Sequence, residues 1–226
     1  MINIKTFIVI PSYNEEKSIA KVIKDLKAHN YKNIIVVDDG SKDRTYEIAK
    51  KHGATVLRHI INRGQGAALK TGIDYALSQG AEIVVTFDAD GQQLASEIKE
   101  LVRPVAEGKI DAALGSRFLK KTKMPFIRRV FLKGGAFMFL IMYGIKLTDS
   151  HNGFRALSRE ALEKIELSAD RMEHASEIVD EIAKKKIRYK EIPVTVLYTD
   201  YSMARGQSNW NAFRILFRMI FKKIIE

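Results

Sequence analysis

Two carboxylates stand two residues apart after an apolar run with the composition of a buried strand. Asp88 and Asp90 follow the sequence IVVTF at 83–87, and Gln92 comes two residues later. Side chains two apart in extended backbone project to the same side, and such close negative charges repel unless a cation lies between them. Oxygen ligands without a neighbouring Cys or His favour Mg²⁺ or Mn²⁺. An Asx turn with two solvated acids is the alternative for this motif taken alone.

Acidic residues and turn formers also follow two other predicted strands. The first strand ends in PSYNE at 11–15 and the second in DDGS at 38–41. The carboxyl ends of parallel strands meet at one edge of an open α/β sheet, where ligands bind. Asp38 and Asp39 could accept hydrogen bonds from a base or ribose, while Pro11 and Tyr13 could pack against the base.

Helix capping is the competing explanation of these two loops. Asn14 precedes Glu16 and Ser41 precedes Arg44, so that both residues are N-cap candidates. Capping explains either loop taken singly. Because three acidic strand ends converge on one edge, the ligand interpretation is favoured for the three together.

The elements that must position these residues alternate as in βαβ units around a mostly parallel sheet. The patterns predict strands at 5–10, 33–37, 55–57, 82–87 and 112–115. They predict helices at 16–28, 43–52, 66–78 and 95–106, the last ending or bending at Pro104. The second half breaks the alternation: helices are predicted at 128–143, 172–185 and 208–225, a turn at 151–154 and a strand pair at 188–198.

The composition describes one ordinary globular domain over residues 1–226 with an uneven charge distribution. The chain has no cysteine, which excludes disulfides and thiolate metal sites and suits a reducing compartment. Residues 1–112 carry 16 Lys and Arg against 15 Asp and Glu, whereas residues 113–226 carry 22 against 12. The basic second half therefore predicts an anionic partner for that half. We expect no signal peptide, because the N-terminus lacks the basic, apolar and small-residue order of one. We also expect no spanning helix, because the longest apolar stretch, 134–145, is too short.

Two other classes of protein account poorly for the sequence. A nucleic-acid binding protein would suit the basic half, but no known binding motif is present and aromatic residues concentrate in apolar helices. A nicotinamide-dependent Rossmann enzyme would have a Gly-rich phosphate loop after its first strand, where this chain has Pro-Ser-Tyr-Asn. We therefore expect no nucleic-acid partner.

The motifs together resemble the family 2 inverting glycosyltransferases, and within them the dolichol- and polyprenyl-phosphate mannosyl- and glucosyltransferases. They occur in the family's order and rough spacing over nearly the whole chain. The matching segments are PSYNE at 11–15, VDDGSKD at 37–43, NRGQGAA at 62–68, FDADGQ at 87–92, GSRF at 115–118, Asp149, NGFR at 152–155 and Tyr201-Ser202.

The resemblance implies a GT-A fold and a set of site residues. Around the nucleotide it places Pro11, Tyr13, Glu15, Asp39 and Asp88, and around the metal Asp88, Asp90 and Gln92. It also implies that Arg63, Gly64 and Gly66 form a loop approaching the sugar donor, where glycines permit close backbone contact. The chain departs from the family at 93–95, where relatives often have His or Leu-Gln and then one or two prolines, so the sequence predicts a looser loop there.

The acceptor side is expected in the basic half. The resemblance implies that Arg117 binds the acceptor phosphate. In the sequence, Arg128, Arg129 and Lys133 lie at the start of a predicted apolar helix. Such an arrangement offers charge for a lipid phosphate and apolar surface for its tail, although a solvated helix start also explains the two arginines. Asp149 is a candidate general base for a hydroxyl acceptor, or an orienting group for a phosphate that is already ionised.

The last predicted helix is basic and amphipathic. Arg214, Arg218 and Lys222 share one face, and Trp210 lies near the start. Such a helix can lie in a membrane interface, and docking onto the protein's own core is the alternative. Membrane contact is accordingly expected to be peripheral or through a membrane-spanning partner.

These observations predict an α/β protein of GT-A fold, with residues 1–112 for the sugar donor and metal and 113–226 for the acceptor. The predicted activity is metal-dependent inverting transfer of mannose or glucose from GDP-mannose or UDP-glucose to a polyprenyl or dolichyl phosphate. The predicted location is the cytoplasmic face of the membrane. A family 2 enzyme acting on a sugar hydroxyl in cell-surface polysaccharide synthesis is the nearest alternative.

Overall fold

The computed structural model of the protein describes residues 4–120, 133–137, 140–141, 144–150 and 152–198. The predicted helix at 208–225, Tyr201-Ser202, Arg128 and Arg129 lie outside these residues. Within the described ranges, every helix is too short or too polar to cross a bilayer.

The first half contains the elements expected of a βαβ chain. They are β1 (Thr6–Ser12), α1 (Ile19–Ala28), β2 (Ile34–Asp38), α2 (Thr45–Lys51), β3 (Thr55–Arg58), α3 (Gln65–Ser78), β4 (Ile83–Thr86), a 3₁₀ turn (Ala95–Glu97), α4 (Ile98–Ala106) and β5 (Ala112–Ser116). The second half contributes β6 (Arg155–Ser158), α5 (Arg159–Lys164), α6 (His174–Lys184) and β7 (Tyr189–Pro193). Residues 133–137 and 140–141 are also helical.

Seven strands form one sheet in the order β3-β2-β1-β4-β6-β5-β7. All neighbouring strands are parallel except β6, which runs antiparallel to both β4 and β5. Arg155, the first residue of β6, therefore pairs with Thr86 and Leu114, near the carboxyl ends of those two strands. The reversed strand thereby brings the turn at 152–154 to the edge of the sheet where β1, β2 and β4 end.

Apolar side chains cover both faces of the sheet, as expected when helices pack on each side. In β1, Phe7 and Val9 belong to one buried cluster and Ile8 and Ile10 to the other, following the two-residue period of a strand. Helices α3 and α6 pack into the first cluster, and α1 and α4 into the second. Gly72 lets α3 approach closely, because a Cβ there would clash with the Val9 side chain.

The predicted bounds of the first half hold to within a few residues, and several predictions for the second half are wrong. The pair of strands predicted at 188–198 is a single strand, β7, which pairs in parallel with β5. Strand β6 and helix α5 were not predicted. Pro104 lies inside α4, and the helix ends two residues later at Ala106, in keeping with a residue that cannot donate the backbone hydrogen bond of a helix interior.

The capping explanation of the first two loops is also wrong. The residues at the N-cap positions of α1 and α2 are Ser18 and Arg44, and neither side chain caps its helix. Asn14 and Ser41 instead join the two loops: the Asn14 amide donates to Ser41 Oγ at 2.9 Å, and the Lys42 amide donates to Asn14 Oδ1 at 2.8 Å.

Candidate active site

Asp88 and Asp90 lie directly after β4, at the carboxyl edge of the sheet. Gln93 holds Asp88 at two points: its Oε1 accepts from the Asp88 amide at 3.0 Å, and its Nε2 donates to Asp88 Oδ2 at 2.5 Å. The Gln92 amide donates to Asp90 Oδ1 at 2.9 Å. The loop at 88–93 is thus fixed by hydrogen bonds, and the looser loop expected from the missing prolines is not observed.

The electrostatics of this loop fit a cation. Burial, followed by repulsion from Asp90, raises the pKa of Asp88 to about 7, although Arg117 and Arg155 act in the opposite direction. A buried carboxyl with a raised pKa beside a second carboxylate is a site where added positive charge is strongly stabilised. Among the described residues no group of three or more acidic, His or Cys side chains could hold a metal. Two carboxylates with substrate phosphates are a usual Mg²⁺ arrangement, so the residues fit a divalent ion.

Asp39 holds the loop at 63–66 by its backbone. Asp39 Oδ1 accepts from the Arg63 amide at 3.0 Å, and Oδ2 accepts from the Gly64 amide at 2.7 Å. The next residue, Gln65, donates from Nε2 to Asp88 Oδ1 at 3.3 Å. The structure therefore brings Asp39, the 63–66 loop and the Asp88 carboxylate together, as the sequence predicted.

The glycines of the 63–66 loop meet the protein's own backbone. Gly64 has a φ of 116°, which favours glycine, and a Cβ there would clash with the carbonyl of Asp170. A Cβ on Gly66 would clash with the carbonyl of Ala169. The predicted reason for these glycines was close approach to the sugar donor, whereas the contact that the structure shows is with the segment before α6.

The remaining residues predicted for the nucleotide lie around the ends of β1 and β2. Pro11 is buried, Tyr13 is 40% exposed, and the Glu15 amide donates to Thr45 Oγ1 at 2.7 Å. Asp38 is fully buried, with Oδ1 accepting from the Ser41 amide and Oδ2 lying 3.1 Å from Arg58 Nε. The expectation that Asp38 meets a base or ribose is therefore corrected, because its side chain faces the inside of the protein.

The turn at 152–154 packs directly against Asp88. A Cβ on Gly153 would lie 3.1 Å from both Asp88 carboxylate oxygens, and the Gly153 carbonyl accepts from Thr86 Oγ1 at 2.5 Å. Phe154 is fully buried and meets Phe87 edge to face, with ring centroids 5.3 Å apart. Any side chain at 153 would press on the carboxylate, which explains the glycine in this turn.

Arg155 is a buried cation next to this turn. Its guanidinium donates to the carbonyls of Asn152 at 3.0 Å and Ala175 at 2.9 Å, and burial lowers its pKa to about 10. It joins the turn to the first residues of α6 and adds positive charge near Asp88. The sequence showed Arg155 only as part of a motif, and nothing in its pattern indicated burial.

Arg117 and Asp149 form a buried ion pair. Asp149 Oδ2 accepts from Arg117 Nε at 2.6 Å and from the Arg117 amide at 3.1 Å, while Arg117 Nη1 donates to the Tyr198 hydroxyl at 3.3 Å. Arg117 is 7% exposed and Asp149 3%. Asp149 was predicted as a general base or an orienting group, and Arg117 as a ligand of the acceptor phosphate; the structure pairs the two side chains with each other. The pair suits an orienting role for Asp149 better than proton abstraction.

The segment at 194–198 crosses this region and was missed by sequence reasoning. The Leu197 amide donates to the Gln92 carbonyl at 2.8 Å, and Thr195 donates to the Glu97 carboxylate. With the contact between Tyr198 and Arg117, the segment connects the 88–93 loop to the ion pair. Its residues carry no recognisable motif, so that only the fold reveals their position.

Of the predicted phosphate ligands on the helix at 128–143, only Lys133 is described, and it is exposed. Phe137, Leu140 and Ile141 are exposed by 61%, 41% and 63%. Their spacing places these three on one face of a helix, because residues three and four apart are neighbours. The sequence predicted an apolar helix here, with apolar surface for a lipid tail, but not which of its side chains are exposed.

The chain is similar to known proteins over most of its length. The chain is 46% identical over 223 residues to an uncharacterised protein of Methanocaldococcus jannaschii, with 96% of this chain and 92% of that protein covered. It is 37% identical over 241 residues to the UDP-N-acetylglucosamine–dolichyl-phosphate N-acetylglucosaminyltransferase of Methanococcus voltae, with 96% of each covered.

Solved structures confirm the fold. Glucosyl-3-phosphoglycerate synthase from Mycobacterium tuberculosis, crystallised with Mg²⁺ and uridine diphosphate, superposes with a TM-score of 0.72 at 19% identity. The comparison covers 96% of this chain and 79% of that one. The expected GT-A fold is thereby established. The model of the glycosyl transferase family 2 matches residues 7–166, and the chain therefore belongs to that family of glycosyltransferases.

Proposed function

We propose that this glycosyltransferase moves a sugar from a nucleotide diphosphate-sugar to the phosphate of a polyprenyl or dolichyl lipid, with inversion at the anomeric carbon. The observation that carries the proposal is the Asp88–Asp90 pair at the carboxyl edge of the sheet, joined to Asp39 through Gly64 and Gln65. In this arrangement the acceptor oxygen attacks the anomeric carbon on the side opposite the diphosphate.

Asp88, Asp90 and Gln92 are the residues that we propose for a divalent ion. The chemistry that Mg²⁺ or Mn²⁺ supplies at such a site, when bound, is neutralisation of the charge that builds on the diphosphate leaving group. Around it, Pro11, Tyr13 and Glu15 are proposed for the nucleotide, with Asp39 holding the Arg63–Gly66 loop. Support comes from the pKa of Asp88, which burial and then repulsion from Asp90 raise, because a cation stabilises the ionised form of such a carboxyl.

A phosphate acceptor agrees with the state of Asp149. A phosphate monoester is largely ionised near neutral pH and needs no base, whereas a sugar hydroxyl does. Asp149 already accepts two hydrogen bonds from Arg117. We therefore propose that Asp149 orients Arg117 toward the acceptor phosphate, with Arg128, Arg129 and Lys133 as further ligands. The relative from Methanococcus voltae, whose name gives dolichyl phosphate as acceptor, supports this choice over a polysaccharide hydroxyl.

We propose two candidates for the transferred sugar. Mannose or glucose, from GDP-mannose or UDP-glucose, follows from the resemblance of the motifs. The match to the Methanococcus voltae enzyme over 96% of both chains specifically favours a second candidate, N-acetylglucosamine from its UDP-linked form.

The acceptor would bring the protein to a membrane surface, which we propose is the cytoplasmic face. The exposed side chains of Phe137, Leu140 and Ile141 offer apolar contact, and the formal net charge of +11 favours an anionic surface. Contact of this kind is peripheral, and a membrane-spanning partner is the alternative.

A thermal-shift panel tests the sugar donor. UDP-glucose, UDP-N-acetylglucosamine and GDP-mannose are each added with and without Mn²⁺, because a ligand of the native state raises its stability by mass action. One of the three is expected to raise Tm, and more so with Mn²⁺. The Asp90→Ala variant should fold but lose the part of the Tm increase that depends on Mn²⁺. It should also lose transfer of the sugar to a polyprenyl phosphate in detergent. Full activity of this variant, or no shift with any of the three, contradicts the proposal.

A further inference from the structure

A partly buried chain of three side chains connects Asp39 to helix α3. His59 Nδ1 lies 2.7 Å from Asp39 Oδ1, and His59 Nε2 lies 2.9 Å from Thr71 Oγ1. The His59 side chain is 11% exposed and that of Asp39 3%. His59 directly follows β3, and its amide donates to the Asp38 carbonyl at 2.9 Å, so the ring is also fixed at its backbone.

The two partners of His59 define what each ring nitrogen does. An ionised carboxylate can only accept, so Nδ1 carries a proton and donates it to Asp39. The Thr71 hydroxyl can donate to Nε2 of a neutral ring or accept from a charged one. The two contacts are therefore chemically separable: one holds the carboxylate, and the other holds the ring.

The carboxylate that His59 holds is the one that organises the 63–66 loop. Asp39 Oδ1 accepts hydrogen bonds from the Arg63 amide and from His59 Nδ1, and Oδ2 accepts one from the Gly64 amide. The rotation of this carboxylate thus sets where Gly64 places the start of α3. Since Gln65 contacts Asp88 from that position, a change at Asp39 is transmitted to the carboxylate pair.

We propose that His59 is a positioning residue for the sugar-donor side of the reaction, fixing Asp39 so that the 63–66 loop is preformed for the nucleotide diphosphate. The inference rests on the proposed function, because it concerns the sugar donor of that reaction. His59 itself is not a catalytic residue: its two ring nitrogens are occupied by Asp39 and Thr71.

Two substitutions separate the contacts. The amide nitrogen of asparagine takes nearly the place of Nδ1, and that of glutamine nearly the place of Nε2. His59→Asn therefore keeps the bond to Asp39 and loses Thr71, whereas His59→Gln keeps Thr71 and loses Asp39. Each variant loses one hydrogen bond, so their losses of global stability are expected to be similar. Thr71→Val loses only the hydrogen bond between Thr71 and His59 Nε2, so it is the matched control for His59→Asn.

Amide hydrogen exchange and nucleotide binding are the two measurements. In His59→Gln the Arg63 and Gly64 amides should exchange about 10-fold faster than in His59→Asn, since loss of a hydrogen bond to a charged group has roughly this effect. Binding of UDP or GDP with Mn²⁺, by calorimetry, should weaken about 10-fold in His59→Gln and less than about 3-fold in His59→Asn and Thr71→Val.

The outcomes distinguish this inference from the proposed function. Equal exchange at Arg63 and Gly64 and equal nucleotide affinity in the His59→Asn and His59→Gln variants would overturn the role of His59. If the unmodified protein binds neither UDP nor GDP, the proposed function fails, while the exchange comparison still decides whether His59 orders the loop.

Discussion

Gln93 stands where the sequence departs from the pattern implied by the family resemblance, and its side chain stabilises the loop through hydrogen bonds. A proline restricts the backbone of the chain directly, whereas Gln93 donates to and accepts from the same residue, Asp88. With 5% exposure, its side chain is largely shielded from solvent. The loss of rigid residues is thus offset by a buried side chain that acts on one of the proposed metal ligands itself.

Gln93→Leu tests this arrangement. The substitution leaves the Asp88 amide and one carboxylate oxygen without their partner, which should reduce the free energy of unfolding by about 1–3 kcal/mol. Removal of a residue that orients a metal ligand typically weakens metal affinity by about 10-fold or more. Urea unfolding and Mn²⁺ titration measure the two effects, and Ser96→Ala, at an exposed position nearby, is the control. Unchanged Mn²⁺ affinity would show that Gln93 supports only the fold.

His174, at the start of α6, makes stability depend on pH. Burial lowers its pKa from 6.5 to about 4, while its Nδ1 donates to the Arg171 carbonyl at 2.7 Å. A histidine with a lowered pKa in the folded state contributes stability that is present above pH 6.5 and lost as the pH falls toward 4. The full loss over this window amounts to about 3 kcal/mol.

His174→Asn should remove this dependence and keep the hydrogen bond to Arg171, because the asparagine amide can replace Nδ1. Urea unfolding at pH 7 and pH 5 is the measurement. The protein should lose more stability than the variant between these two values, and parallel losses in both would contradict the assignment. Comparing the two proteins is necessary because Asp88, whose pKa is raised to about 7, changes stability in the opposite direction over the same range.

At the scale of elements, the ion pair of Arg117 and Asp149 joins the end of β5 to the segment before β6. Both side chains are buried, and Glu191 of β7 accepts from the Asp149 amide at 3.0 Å. Removing one partner of a buried pair leaves the other charge uncompensated, which costs about 3–5 kcal/mol. Replacing both partners is far less costly.

Arg117→Met alone should therefore be much less stable than Arg117→Met combined with Asp149→Asn. Chemical unfolding of the single and double variants measures the difference. If the acceptor role proposed for Arg117 holds, the double variant recovers stability but not affinity for the lipid phosphate. Additive losses in the double variant would show that the two side chains are not coupled.

The sequence predicted the first half well because its strands and helices are long enough to show their periods. Buried runs such as those of β1, β2 and β4 alternate with helices whose apolar residues recur at helical spacing, and their ends carry the acids of the site. Asp39, Asp88 and the 63–66 loop could therefore be placed together. Their mutual contacts, and the burial of Asp38, depend on tertiary packing and were not predictable.

The elements of the second half were harder to predict from the sequence for a physical reason. All four residues of β6 are buried, so the strand shows no polar alternation, and one of them is an arginine. Strand β7 lies within the strand pair predicted at 188–198, but its parallel pairing with β5, which is distant in the chain, left no signal in the sequence. The sequence did not indicate the role of His59, because its partners Asp39 and Thr71 are distant in the chain. It did not indicate the role of Gln93 either, because glutamine at this position departs from the family pattern.

At the scale of the whole molecule, charge and exposed apolar surface together predict membrane affinity. Phe137→Ser with Ile141→Ser should reduce binding to vesicles of anionic phospholipid by about 10-fold or more, since each side chain would bury apolar area in the interface. Vesicle sedimentation at low and high salt is the measurement, and binding should weaken with salt. Ile60→Ser is the control, because Ile60 is 99% exposed and lies outside this helix, on the loop that follows β3. Equal binding by the double and control variants would exclude this face.

The reversed strand β6 has a consequence for the evolution and engineering of such enzymes. It is contributed by the later part of the chain, yet it is inserted between β4 and β5 of the earlier part. A fragment ending just after β5, at Ser116, would leave β4 unpaired on one side and β5 without both of its neighbours. Acceptor specificity therefore cannot be transplanted by fusing complete halves of two relatives. Exchange of individual surface connections, with the interleaved strands retained from one parent, is the route that this topology permits.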